Sequence, residues 1–225
     1  MLSILIFHIF ITTSCLWAGY LYYRIINKES QTNNHFIIYT VSGLIFITLI
    51  TQLSAVFIPI SNTFSLSIFL LLAASAIYMR KAFADLLKRT IFNIFHLPAA
   101  LKLCLISLWL IILMLNTGPL IMDDTESYHI QMVKWVEEYG SVPGIANLHE
   151  RYGFNSSWFS SIAIFHFSFK SLNTFSALNG VLSLWFRLYF ITLGAHTREK
   201  KYALLRWASL GTLLLSFTSW PVIRG

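Results

Sequence analysis

Charge is what this sequence has least of. Acidic and basic side chains together make up 11% of its 225 residues, where soluble domains carry roughly 25%. Hydrophobic residues reach 56%. That balance excludes a domain solvated on every side. Cysteine is nearly absent: Cys15 and Cys104 are the whole supply, and both fall inside apolar runs, so a disulfide framework has no basis. The N-terminal apolar run lacks the marks of a secretory leader. No positive region precedes it, it is longer than a leader's core, and no small-x-small site precedes Arg24. It reads as an uncleaved span. No internal repeat or low-complexity linker is evident.

What the sequence has instead is long apolar runs. Residues 2–23, 36–60 and 103–122 contain no Asp, Glu, Lys or Arg. Each reaches the ~20 residues that a helix needs to cross ~30 Å of hydrocarbon. The fold class expected is all-α, a polytopic transmembrane helical bundle with an outer loop of amphipathic helices, and the lipid bilayer is its first partner. Basic residues cluster at 24–28, 80–89 and 198–206, and cytoplasmic loops are enriched in them. Placing those clusters inside gives spans over about 2–23, 36–60, 64–79, 101–122, 171–195 and 203–223. Loop 123–156 then lies outside, which in a bacterium with two membranes means the periplasmic face of the inner membrane. The net charge of +7 divides accordingly. The loop carries six acids against Lys134 and Arg151, a net of −4, and the remainder is +11. Basic residues that flank spans report orientation, so nucleic acid is not an expected partner.

Two segments fit no simple span. The stretch 157–169 is apolar but only 13 residues long, short for a crossing, and reads as a juxtamembrane or re-entrant helix on the outer face. The stretch Met79–Phe95 gathers Ala82, Phe83, Leu86, Leu87, Ile91, Phe92 and Phe95 near one face, while Lys81, Asp85, Lys88 and Arg89 line much of the other. That pattern suits a helix lying in the inner interface near anionic head groups.

The outer loop is where chemistry would reside. Tyr128, Met132, Trp135, Val136 and Tyr139 recur at helical spacing as one apolar stripe. Asp123 and Glu126 have the spacing of a capping box, and Gly140 with Pro143 supplies the stop. Capping and dipole roles account for Asp123 and Glu126, and for Asp124 only in part, since one cap suffices.

A hydrophobic span followed by an acidic pair that opens a helix, with Tyr128 four residues after Asp124, resembles the GT-C glycosyltransferases. So do the downstream features: the apolar segment 157–169, a span containing Arg187, a basic turn at 198–201, and a span ending in aromatics and Pro221. The loop is also similar to a group of uncharacterised bacterial multi-pass proteins distantly related to those enzymes. The resemblance covers roughly residues 101–225, preceded by an N-terminal set of helices over 1–100. It implies transfer of a sugar from a polyprenyl-linked donor on the outer face, in assembly of an envelope glycan. Asp124 matches the family's essential Asp and Tyr128 the Tyr after it, with Asp123 as the second candidate acid. Thr125 stands where the family often has Glu, which argues against a two-carboxylate or metal site. GT-C enzymes continue through many more spans, so the resemblance implies that residues 1–225 are the front part of a longer protein.

The chemistry asks for a carboxylate to take the acceptor's proton and for cations or a metal to receive charge on the departing phosphate. Arg151, Lys134 and Arg224 lie on the correct side, although each fits a solvated surface charge equally well. His129 and His149 are candidate substrate contacts, and no spacing indicates a metal site. Arg187 is inside a span, where an ionisable group is functional by default; snorkelling to the inner interface is the alternative. His166 is expected to be an interfacial side chain. The rival functions are an O-antigen-type polymerase or transporter, and a non-catalytic subunit that works with a partner membrane chain.

Overall fold

The computed structural model describes residues 1–26, 35–118, 124–153, 156–167 and 174–196, with Trp207 and Gly211. Among these, every regular element is helical, and the chain is an all-α bundle. Helices α1 (Leu2–Ile25), α2 (His35–Ala55) and α5 (Ala99–Thr117) are long and apolar enough to cross a membrane. Helix α3 (Asn62–Tyr78) has 17 residues, about 25 Å at 1.5 Å per residue. Helix α4 (Arg80–Phe95) leaves it at an angle of 95°. The expected second and fourth spans are therefore shorter than the apolar runs that contain them. The run through Ile60 stops at Ala55, ahead of the Pro59 turn, and the run to Met122 stops at Gly118. Apart from Trp207 and Gly211, the expected final span lies outside the described residues, as do the basic turn before it, Asp123 and Arg224.

Helices α1 and α2 touch backbone to backbone. A Cβ on Gly43 would stand 1.8 Å from the Cys15 carbonyl oxygen, and one on Gly19 would stand 1.9 Å from that of Tyr39. Small residues at such a crossing let dispersion contacts replace the hydrophobic drive that lipid does not supply. Helices α5 and α8 (Ala177–His196) run antiparallel: Asn116 meets Gly180, and Leu108 clusters with Ile191. Trp185 on α8 donates to Thr12 Oγ on α1 at 3.1 Å, which closes the bundle.

The two ends of the bundle differ. At one end, α4 runs across the bundle, packing Leu86, Phe83 and Leu87 against Trp17 and Tyr20 of α1. At the other end sit the α2–α3 turn, α6 (Ile130–Tyr139) and α7 (Ser157–Phe165). Gly140 joins them. Its φ of 73° is left-handed, and a Cβ there would lie 2.5 Å from the Ala55 carbonyl oxygen. Around it Ser141 N–H donates to Ala55 O at 2.6 Å and Ile60 N–H donates to Val136 O at 3.0 Å.

Helix α7 answers how the short apolar segment is used. It has nine residues, too few to cross, and Phe159–Phe165 are buried. Ser161 Oγ meets Thr48 Oγ at 2.8 Å, and Ser160 Oγ donates to Gln52 Oε1 at 2.7 Å, both on α2. Beyond its C-terminus the Phe167 ring lies 6.1 Å from the rings of Phe7 and Phe10, in the first third of α1. The segment thus dips into the bundle and is still at the α6 end when it stops. His166 is partly buried, and its Nδ1 bonds Glu137 Oε1 of α6 at 2.5 Å, with both side chains 17% exposed.

Candidate functional site

The loop helix begins differently from the regular capped helix its spacing suggests. Thr125–His129 form a π-helical turn ahead of α6, a wider turn of the kind found at functional sites. Met132, Val133 and Val136 are buried, Trp135 is half-buried, and Tyr139 is 60% exposed and packs its ring beside Trp135. The expected stripe therefore holds for Met132 and Val136, and fails for Tyr139.

That π turn sets the geometry of the acidic site. Asp124 immediately precedes it, and Ser127 Oγ donates to the Asp124 carbonyl at 3.2 Å. The Asp124 carboxylate does not act as a free cap. It accepts a hydrogen bond from Arg151 Nη1, 27 residues away in sequence. The Arg151 guanidinium carbon also lies 5.5 Å from the centroid of the Tyr128 ring, within cation–π range. Arg151 is placed by the short helical turn Glu150–Gly153, where its own N–H donates to His149 Nδ1 at 3.2 Å. His149 in turn packs against Tyr152, with ring centroids 5.3 Å apart.

His129 closes the other side. Its ring contacts Tyr128 at 4.2 Å and Phe159 of α7 at 5.7 Å, centroid to centroid. Burial lowers its pKa below the usual imidazole value, and the nearby Asp124 carboxylate opposes that shift in part. The neutral imidazole that burial favours offers one donor and one acceptor.

Of the candidates read from the sequence, the structure brings together Asp124, Tyr128, His129, His149 and Arg151. Lys134 is exposed on α6. Arg187 is elsewhere, ten residues into α8, about 15 Å from its start. It is 3% exposed, and its Nη1 donates to the carbonyl oxygen of Ser183 at 3.1 Å and to Ser183 Oγ. The side chain thus turns back toward the α6 end, away from the interface to which snorkelling would carry it. Among the described residues no group of three or more His, Cys, Asp or Glu could hold a metal ion.

A family model described as a domain of unknown function (DUF8201) matches residues 1–223. The chain belongs to the DUF8201 family. No curated protein and no solved structure matches it. The site is therefore read from its own geometry: in this DUF8201 chain an exposed carboxylate, a guanidinium and a tyrosine ring converge at the end of a bundle of apolar helices.

Two polar clusters of the DUF8201 chain had no counterpart in the sequence reading. One is the Glu137–His166 pair, which links α6 to α7. The other lies within the bundle. His8 is 1% exposed, receives a hydrogen bond on Nδ1 from Trp109 Nε1 at 3.2 Å, and contacts the Asn116 amide through Nε2 at 2.9 Å. The available signal for the second was an ionisable residue inside an otherwise uncharged apolar run.

Proposed function

We propose that the chain is a GT-C-like membrane glycosyltransferase, using a polyprenyl-linked sugar donor on the outer face of a bacterial inner membrane in envelope glycan assembly. The observation that supports this reading is the Asp124–Arg151–Tyr128 constellation, in which Arg151 reaches Asp124 from 27 residues away and Tyr128 with it. In the reaction an acceptor hydroxyl oxygen attacks the anomeric carbon of the donor. The bond from that carbon to the lipid-phosphate oxygen breaks, and its electron pair leaves on the phosphate. Asp124 takes the hydroxyl proton, and Arg151 meets the charge on the phosphate. Tyr128 holds the guanidinium plane, and His129 and His149 flank the pair. Asp123 completes the acid pair in the sequence.

The resting ion pair is suited to being exchanged. Its side chains are 46% and 56% exposed, and exposed pairs of this kind are worth about 0–1 kcal/mol. A phosphate competing for Arg151 therefore frees the Asp124 carboxylate at little cost. Arg151→Gln is expected to raise the KM for a polyprenyl-linked donor about tenfold or more, the loss of one charged hydrogen bond, with Arg151→Lys falling between it and the wild type. Donor titration with membranes carrying each variant measures this. An unchanged KM in Arg151→Gln would remove Arg151 from donor binding.

A further inference from the structure

A cleft of about 380 Å³ lies between α1, α4, α5 and α8, within the roughly 300–1,000 Å³ of small-molecule sites. It reaches from α4 as far as His8 and Thr12 in the first half of α1. Leu16, Leu105, Leu184, Leu188, Trp109 and Trp185 are among the residues that line it. Helix α4 contributes Leu87, Thr90, Ile91 and Ile94, one face at helical spacing. This is an apolar slot with a helix across its mouth.

Basic side chains outnumber acidic ones on the α4 side of this cleft. Lys88 flanks the lining residue Ile91 on α4 and is exposed, whereas Arg89 falls on the opposite face of the helix. Arg80 and Lys81 are exposed on the same helix, against a single acid, Asp85. Lys102 sits one turn before the lining residues Leu105 and Ile106 and donates to the Phe95 carbonyl at 3.1 Å. Beside these cations Ile91, Phe92 and Phe95 are 51%, 59% and 68% exposed. Bulky apolar and cationic side chains on one short helix are the pattern of a helix resting in a head-group layer.

We propose that this cleft holds one anionic phospholipid of the leaflet against which α4 rests. An acyl chain occupies the slot between α1, α5 and α8, and the phosphate is met by Lys88 and Lys102. An apolar chain alone would fit the slot, but these two lysines select an anionic head group. The site is independent of the sugar-transfer reading, because it shares no residue with the Asp124 cluster.

The test uses the full chain in nanodiscs containing equal phosphatidylcholine and phosphatidylglycerol. Lipid that stays bound after the disc is stripped away is then identified by native mass spectrometry. The wild type is expected to retain one phosphatidylglycerol in preference to phosphatidylcholine. The double variant Lys88→Gln/Lys102→Gln, which leaves the residues lining the slot unchanged, is expected to lose that preference by about thirtyfold, near fivefold for each cation beside an anionic head group. Thr90→Trp, which fills the slot and leaves the cations, is expected to lose the retained lipid itself. Equal retention of both lipids by the wild type would overturn the proposal. So would full preference in the double variant, or undiminished retention in Thr90→Trp.

Discussion

Asp124→Asn is expected to reduce sugar transfer by about a hundredfold or more, the lower end of what a lost general base costs. Structure and chemistry make opposite demands on this substitution. As a helix cap, Asn serves about as well as Asp. As an exposed partner of Arg151, the carboxylate contributes about 0–1 kcal/mol, so the fold tolerates its loss. A neutral amide cannot take the acceptor's proton, and it offers the guanidinium no opposite charge. Glu138→Gln is the matched control, an exposed acid on the same helical arm, and should retain activity near wild type. The assay is glycan transfer in cells lacking the native copy, with equal membrane insertion of both variants. Wild-type rates in Asp124→Asn would leave the Arg151 pair as a structural contact of the loop.

The second large effect is on stability. Gly43→Leu is expected to push α1 and α2 apart, because even its Cβ would stand 1.8 Å from the Cys15 carbonyl oxygen. The obstacle is backbone and cannot rotate away, so the cost should reach the top of the overpacking range, about 3 kcal/mol or more. Ile45→Leu, on the exposed face of the same helix, should be nearly neutral. Thermal unfolding of the detergent-solubilised chain, with size-exclusion profiles, distinguishes the two. A monodisperse Gly43→Leu protein with wild-type stability would contradict the observed helix crossing.

What was legible in the sequence follows from how local each signal is. Apolar runs locate α1, α2 and α5 because a span's length and composition are properties of one segment. The amphipathic α4 was readable for the same reason. Its near right angle to α3 was not, since no proline or glycine marks the bend at Met79. The α6 stripe was half right: Met132 and Val136 are buried as its period requires, whereas Tyr139, the last residue of the helix, is exposed where the chain turns away at Gly140. Asp124, Tyr128 and Arg151 were each identifiable by residue type, but their meeting depends on the turn at Glu150–Gly153, which carries no strong local code. Arg187 was legible as an unusual residue in a span, and its partner Ser183 only from the rotamer. The Gly19 and Gly43 crossing required knowing which faces of two helices meet.

The central claim is that the Asp124 site lies on the outer side of a membrane-spanning bundle, with α4 on the inner side. It is tested most directly by site-specific labelling in intact cells with a permeabilised outer membrane. In a background with Cys15 and Cys104 replaced by alanine, Ser141→Cys and Lys81→Cys place single thiols at exposed positions at the two ends of the bundle. An impermeant maleimide is predicted to modify position 141 and to spare position 81 until the inner membrane is lysed. Modification of position 81 in unlysed cells, with or without position 141, would contradict the account.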